Sequence, residues 1–289
     1  MLKDLKNKFD GVVDREDFRH VGPIWEVGEY EVEVVAKGPE DLEQRRIVAS
    51  EGGKRSRFYA PLQDPDLFLS FARMASWGRP SEPTILRWVR KYGLLHRADD
   101  RFETVTAYGG LNQAPILVKD FAAETLEARS ALDLYSDLNR EGIEGFRKRL
   151  GVLRERYESG GVLAEMDLYF VRQWAKRVSR ASKYDSGTLQ LMATATLESF
   201  VKDKLEGVRL ALWHEEYALG WWTDRYRPTQ SWECPDLISA VYLQFYLMMT
   251  NNLAMRRCEN PGCGLPIPVT RKNRRFCNPT CRSNMRHYR

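Results

Sequence analysis

Four of the five cysteines in this chain lie close to its C-terminal end, at Cys258, Cys263, Cys277 and Cys281. Their spacing is C-x4-C-x13-C-x3-C, so two close pairs are separated by a short loop. Two such pairs can bring four thiolates to one tetrahedral zinc ion, with each sulfur about 2.3 Å from the metal. Because four thiolates leave no coordination position for water, the spacing predicts one structural Zn2+ and not a catalytic one. A redox-active dithiol pair, or cysteines with no joint role, are the alternatives.

The residues around these cysteines fit a small module built on the metal. The stretch 260–264, NPGCG, indicates a tight turn in which Gly262 and Gly264 can adopt positive φ. The stretch 265–276 is long enough for a hairpin, and the second pair has the spacing of one turn of a final helix, with Asn278 or Thr280 near its cap. A knuckle, a hairpin and a helix make a treble-clef zinc finger. A module this small cannot bury enough apolar area, so the metal would supply much of its folding free energy.

The same segment is strongly basic. Residues 256–289 contain nine lysines and arginines against Glu259 alone, a net charge of +8, so the remainder of the chain carries −3 of the formal total of +5. Charge of this local density predicts an anionic partner, and we expect nucleic acid, with double-stranded DNA as the first candidate. The residues expected to contact phosphates are Arg271, Lys272, Arg274, Arg275, Arg282, Arg286 and Arg289. The alternatives are an acidic protein surface, which would make the module an interaction adaptor, and a solvated face.

These residues carry a resemblance to a known family. The segment "RRCENPGC", the basic loop with "RRFC", the closely following cysteine and the final "RHYR" resemble the C-terminal zinc finger of the bacterial CGNR zinc-finger family. The chain reads Cys281-Arg282-Ser283-Asn284 where that family has its Cys-Gly-Asn-Arg tetrad. The resemblance covers about 34 residues and implies a finger that follows a mostly helical region and binds DNA in stress-linked transcription regulation.

Patterns that would indicate an enzyme are incomplete. His214 and Glu215 begin a metalloprotease-like motif, but Ala218 stands where its second histidine belongs. The hairpin segment 265–276 has no His, Asp or Glu, which leaves His287 without the partner that a treble-clef nuclease needs. We therefore predict that the protein is not an enzyme; a catalytic site built inside the helical region is the alternative.

The elements that must position the finger are mostly helical. With 289 residues, 43% of them apolar and 29% charged, the chain is long enough for a core and an appended module. β-rich pieces such as "EYEVEVVA" indicate a small N-terminal α/β segment over residues 1–65, and helical periodicity predicts a bundle over 66–255, followed by the finger over 256–289. The fold class is thus mainly α. The long amphipathic segments are 118–139, 141–158, 162–182, 186–219 with a break, and 235–255.

The helical domain would sense a signal or mediate self-association as a homodimer. It could hold a small-molecule ligand among Trp88, Trp174, Trp213 and Trp232. The aromatic series Trp213, Tyr217, Trp221 and Trp222, at near-helical spacing, is expected to be core. The N-terminal residues carry charges every few positions, and no apolar run reaches the length that spans a bilayer, so we expect a cytoplasmic protein without a membrane partner.

Overall fold

The computed structural model describes residues 25–37, 43–50, 57–59, 61–76, 78–96, 113–178, 186–214, 228–269 and 274–285. In these ranges the chain forms seven α-helices and several small antiparallel sheets, which confirms the mainly α class. None of the helices in the ranges given above is both long enough and apolar enough to cross a membrane.

The chain divides into two compact units, each assembled from three segments. The first unit contains residues 1–67, 86–117 and 205–241, and the second contains residues 68–85, 118–204 and 242–289. The cysteine segment thus belongs to the same unit as the long central helices.

The first unit is built mainly from short strands. Strand β1 (Trp25–Val27) pairs with β4 (Arg57–Tyr59), and β2 (Tyr30–Lys37) pairs with β3 (Glu43–Ala49), which also pairs with β5 (Ile116–Leu117). All of these pairings are antiparallel. A short 3-10 turn, Pro61–Gln63, follows β4. The strand predicted from "EYEVEVVA" is therefore present as β2.

Helix α2 (Glu82–Tyr92) ends at a glycine. Gly93 has φ +94°, and its N–H donates to the Val89 carbonyl at 2.7 Å, which is the geometry of a glycine that terminates a helix. A Cβ added at Gly93 would lie 2.6 Å from Trp25 Nε1, so both the backbone and the packing require glycine there. The buried Gln113 side chain accepts hydrogen bonds from Leu94 N and from Tyr30 Oη beside this turn.

The helix predicted over residues 186–219 is wrong in its second half. Helix α5 (Ser186–Lys204) stops after Lys204, and the next residues form β6 (Arg209–His214), paired antiparallel with β7 (Pro228–Glu233). Gly207 adopts φ +80° between the helix and the strand, which ends the helical course. Trp213 therefore belongs to a strand and not to a helical aromatic stripe, and Tyr217, Trp221 and Trp222 lie outside the described residues.

The second unit is organised around one long helix. Helix α3 (Val118–Glu158) runs for 41 residues, with non-helical backbone angles at Gly142. It packs against α4 (Glu165–Val178) and α5. The two predicted segments 118–139 and 141–158 thus correspond to the two halves of α3, because the φ of +56° at Gly142 is a break that glycine tolerates.

Aromatic side chains fill the core of the second unit. Phe68 of α1 (Leu67–Arg73) stacks on Phe245 of α6 (Leu237–Thr250) with ring centroids 4.5 Å apart. Tyr135 meets the same Phe245 edge-on at 5.9 Å, and Phe146 of α3 meets Phe170 of α4 edge-on at 5.4 Å. Such pairs add to the free energy gained by burying the rings, so they fix α1, α4 and α6 against α3.

A buried carboxylate of α3 caps helix α4. The Glu127 side chain accepts hydrogen bonds from the backbone N–H groups of Glu165 and Met166, the latter at 3.2 Å. These N–H groups belong to the first turn of α4, which has no partners for them within its own helix. Burial raises the pKa of Glu127 from its ordinary 4.5 to about 7, although the two backbone hydrogen bonds oppose the rise.

Candidate metal centre

A two-stranded hairpin positions the first cysteine pair. Strand β8 (Met255–Arg257) pairs antiparallel with β9 (Pro266–Pro268), and Cys258 and Cys263 lie in the connection between them. The Cys258 N–H donates to the Leu265 carbonyl at 2.8 Å, which closes the base of this turn. The hairpin was predicted within residues 265–276, but its first strand, β9, pairs with β8, which precedes it in the chain. Residues 270–273 lie outside the described residues.

The turn itself is shaped by Asn260 and Gly264. The Asn260 side chain accepts from Gly262 N at 3.1 Å, and its carbonyl accepts from Cys263 N and Gly264 N at 2.9 and 3.2 Å. Gly264 has φ +53°, as predicted, whereas Gly262 is not among the described glycines with positive φ. Because the asparagine makes the tight turn, only one of the two glycines needs the left-handed backbone.

A short helix positions the second pair. Cys277 precedes α7 (Pro279–Asn284), and Cys281 is the buried residue within it. Asn278 is the N-cap, with its side chain accepting from Cys281 N at 2.7 Å, and Pro279 occupies the first turn, so one of the two predicted caps is confirmed. Cys277 N also donates to Cys258 Sγ at 3.5 Å, and Glu259 N donates to the Arg275 carbonyl at 3.1 Å, which joins the helix to the hairpin.

The four thiols form one buried cluster. Their sulfur atoms all lie within 4.8 Å of one another, with Cys263 Sγ 3.6 Å and Cys281 Sγ 3.3 Å from Cys277 Sγ. Four sulfurs about 2.3 Å from one metal ion at tetrahedral angles would be about 3.8 Å apart. The separations are close to this value and far above the ~2.05 Å of a disulfide bond, so the cluster has the dimensions of a metal site.

The thiols share their protons unequally. Hydrogen bonding with Cys277 lowers the pKa of the Cys263 thiol to about 5, whereas the same hydrogen bond and burial raise the pKa of Cys277. Burial also raises the pKa of Cys281. One thiolate is thus stabilised by S–H donors around it, and a metal cation would replace those protons as the source of positive charge.

An arginine next to the first cysteine ties the hairpin to helix α3. Arg257, the last residue of β8, places Nη1 3.1 Å from Asp133 Oδ1 and Nη2 2.7 Å from Asp137 Oδ1. The two aspartates are one turn apart on α3, so a single guanidinium bridges both. Arg257 Nη1 also donates to the Gly264 carbonyl at 3.1 Å, inside the cysteine turn.

Two further arginines donate to backbone carbonyls of the cysteine segment. Arg129 Nη2 lies 3.4 Å from Gly264 O, while its Nε pairs with Asp133 Oδ2 at 2.8 Å. Arg73 Nη2 donates to Cys277 O at 3.3 Å. The carbonyls that flank two metal-ligand candidates are therefore held by side chains of α1 and α3.

The two bridging aspartates differ in how well their charge is compensated. Burial raises the pKa of Asp133, but Arg129, Arg149 and Arg257 outweigh burial and hold this pKa below its ordinary value. Burial also raises the pKa of Asp137, and there Arg257 and Arg149 do not fully offset it. Asp133 is thus compensated mainly by Arg129 and Arg149, whereas Asp137 depends most on Arg257 of the hairpin.

Three of the residues predicted to contact nucleic acid fall in the described residues, and only one of the three extends freely. Arg275 pairs with Glu259, with its Nε 2.7 Å from both carboxylate oxygens. Half-buried Arg274 lies 3.5 Å from the Cys277 carbonyl. Arg282 is exposed on α7. The other predicted contacts lie outside the described residues and stay predictions: Arg271, Lys272, Arg286 and Arg289.

The bridge from Arg257 to helix α3 is the main feature that the sequence did not reveal. The sequence does show one charged helical stripe, with Arg129, Asp133 and Asp137 at four-residue spacing. The arginine that bridges the two aspartates lies 120 or more residues later in the chain. Two of the tryptophans considered as ligand contacts are placed by the structure: Trp88 is buried in α2 against Tyr92, and Trp232 is half-buried in β7. Comparison of the chain with models of protein families, with curated proteins and with solved structures found no match.

Proposed function

We propose that the four cysteines hold one structural zinc ion. The observation that carries this proposal is the cluster of four buried sulfur atoms within 4.8 Å of one another. An all-thiolate tetrahedral set suits zinc or iron, and zinc requires no redox partner or open position. Four protein ligands leave no room for a reacting water, so the ion would hold the shape of the finger and would not act in catalysis.

Elemental analysis of the purified, reduced protein tests the metal. We expect about one zinc per chain, lost when any one of the four cysteines is changed to serine. Cys234→Ser is the matched control, because this buried cysteine lies outside the cluster. Zinc content near zero in protein purified without chelators, or iron with its visible absorption, would contradict the proposal.

We further propose that the finger binds nucleic acid, most simply duplex DNA, and that the protein is a bacterial transcription regulator. The density of positive charge in the cysteine segment supports this, since residues 256–289 contain nine basic residues and one acidic residue. The resemblance of this segment to the CGNR-type finger supports the same function. The helical part would then sense a signal or mediate dimerisation.

A mobility-shift titration of duplex DNA at several salt concentrations tests binding. Phosphate contacts release counterions, so affinity should fall steeply with salt, and Arg282→Ala should reduce the log–log slope by about one. Arg154→Gln on α3 is a matched control, because this exposed arginine is paired with Glu158. A shift that is absent, or that does not respond to salt, would contradict nucleic-acid binding.

An interaction adaptor is the second candidate, and the pairing of arginines inside the chain favours it. Arg275 is engaged by Glu259, and Arg274 lies against a backbone carbonyl, which leaves less free charge for phosphates than the sequence indicates. A complex captured from a lysate that survives nuclease treatment, together with failure of the DNA titration, would favour the adaptor.

A further inference from the structure

A pocket of about 420 Å³ opens in the second unit beside the network that holds the cysteine hairpin. This volume is within the range of sites for small organic molecules. One part of its lining is apolar and comes from both halves of α3 and from the connection to α4, with Leu126, Leu153, Val162, Leu163 and Ala164. The rest of the lining is charged. Val162 is 60% exposed, so an apolar side chain stands at the opening.

The charged lining carries one more cation than anions. Each of its four carboxylates has a cationic partner within hydrogen-bond distance: Asp133 with Arg129, Asp137 with Arg257, Asp167 with Arg149, and Glu141 with Lys148. Arg156 also lines the pocket, and it forms no ion pair with any carboxylate of the described residues. The lining is therefore left with a charge of +1.

The buried guanidinium of Arg149 has hydrogen-bonding capacity that its neighbours do not use. Its side chain is 10% exposed, and its Nη2 donates to Asp167 Oδ1 at 2.7 Å and to Ser130 Oγ at 3.0 Å. Nε has no hydrogen-bond acceptor in the described part of the chain, and Nη1 lies 3.8 and 4.0 Å from carboxylate oxygens of Asp133 and Asp137, beyond hydrogen-bond reach. Arginine has five donors and no acceptor, so the unused capacity calls for a group that only accepts.

We propose that this pocket binds a small organic carboxylate with an apolar body, whose charge is met by Arg156 and whose oxygens accept from Arg149. The excess charge matches one carboxylate, the unused donors match its oxygens, and the apolar lining matches a chain or ring of a few carbons. This deepens the proposed function, because it names the class of signal that the helical part would sense. The binding itself needs neither the metal assignment nor nucleic acid.

The pocket shares two side chains with the cysteine hairpin. Arg129 and Arg257 line it and donate to the Gly264 carbonyl, which follows Cys263 directly. A carboxylate in the pocket competes with Asp133 and Asp137 for these guanidinium groups. A ligand bound in the pocket would therefore affect the cysteine segment through the hydrogen bonds of these two arginines to the Gly264 carbonyl.

Calorimetric titration of the full-length, zinc-supplied protein with three probes at equal ionic strength tests the proposal. Hexanoate carries both features, hexylammonium reverses the charge, and acetate lacks the apolar body. We expect saturable one-to-one binding of hexanoate, at least tenfold weaker binding of acetate and no binding of hexylammonium. Arg156→Gln should weaken hexanoate binding about tenfold, and Val162→Asp should abolish it. Arg154→Gln, which changes an exposed arginine on the same helix outside the pocket, should leave it unchanged.

Three results would overturn the inference: no saturable hexanoate binding, equal binding of hexanoate and hexylammonium, or wild-type affinity in both pocket variants. Positions 156 and 162 are exposed, and circular dichroism checks that the variants keep their helices. Hexanoate binding without any DNA shift would leave the inference standing and count against the proposed regulator. A DNA shift with no hexanoate binding would overturn the inference and leave the proposed nucleic-acid binding standing.

Discussion

The buried carboxylate of Glu127 makes the stability of the protein depend on pH in a defined direction. The folded state raises its pKa from 4.5 to about 7, chiefly through burial. Folding therefore favours the protonated form, and the stability contributed by this group is fully present below about pH 4.5 and is lost as the pH rises through about 7. Glu127→Gln removes the titration while keeping the size of the side chain.

A pKa raised from 4.5 to about 7 corresponds to about 3 kcal/mol, at about 1.4 kcal/mol for each tenfold change in the proton equilibrium. Between pH 5 and pH 8 the wild-type protein should lose about 2–3 kcal/mol of unfolding free energy relative to Glu127→Gln. At every pH the unfolding free energy of Glu127→Gln should also be lower by a constant amount of about 1 kcal/mol. The reason is that the glutamine amide can accept from only one of the two N–H groups of helix α4 without placing its own donor against the other.

Urea unfolding of both proteins across this pH range, in the same zinc concentration, measures the difference. Changes in metal affinity with pH should cancel between the two proteins, because the hydrogen bonds of Glu127 within the described residues go to helix α4. Glu198→Gln, on the exposed face of α5, is the control and should follow the wild type in parallel at every pH. Wild-type and Glu127→Gln curves that also run parallel from pH 5 to pH 8 would refute the reasoning.

Three further changes probe other parts of the chain. Glu259→Gln should strengthen duplex binding and steepen its salt dependence by about one counterion, because it releases Arg275; an unchanged slope in the shift assay would rule out Arg275 as a phosphate contact. Gly93→Ala should lower the free energy of unfolding by about 1–3 kcal/mol, whereas Gly160→Ala, which has positive φ but open space around it, should cost less in the same denaturation experiment. Equal losses of unfolding free energy in the two variants would mean that the positive φ alone, and not the contact with Trp25, accounts for the cost at Gly93. Arg257→Met should cost about 1–3 kcal/mol because it leaves two half-buried carboxylates with less compensation, and a melting temperature equal to that of the wild type would contradict the bridging role.

The features that local sequence determines were the ones that could be predicted. Cysteine spacing indicated a four-thiol site because all four ligands lie within 24 residues of one another, and Asn278 before Pro279 marked a helix start. The long helices followed from periodicity, and Gly264 marked a turn whose positive φ the structure confirms.

Features that depend on distant partners could not be predicted. Residues 209–214 have a composition compatible with a helix, and they become a strand because residues 228–233 pair with them. Arg257 was counted only as part of a basic tail, yet two aspartates more than 100 residues earlier take up its charge. Charge in the sequence thus overstates the charge that remains free at the surface.

Through Arg257, metal binding by the four cysteines would be thermodynamically coupled to the stability of the helices. This residue is adjacent to Cys258 in the chain and bonded to Asp133 and Asp137 in space, so the hairpin cannot loosen without leaving two carboxylates of α3 less compensated. Metal bound by the cysteines therefore adds its binding free energy to the stability of the helices around α3, and chelation should withdraw it from them. We expect the finger and these helices to melt in one transition that moves with the zinc concentration, and not as two independent domains.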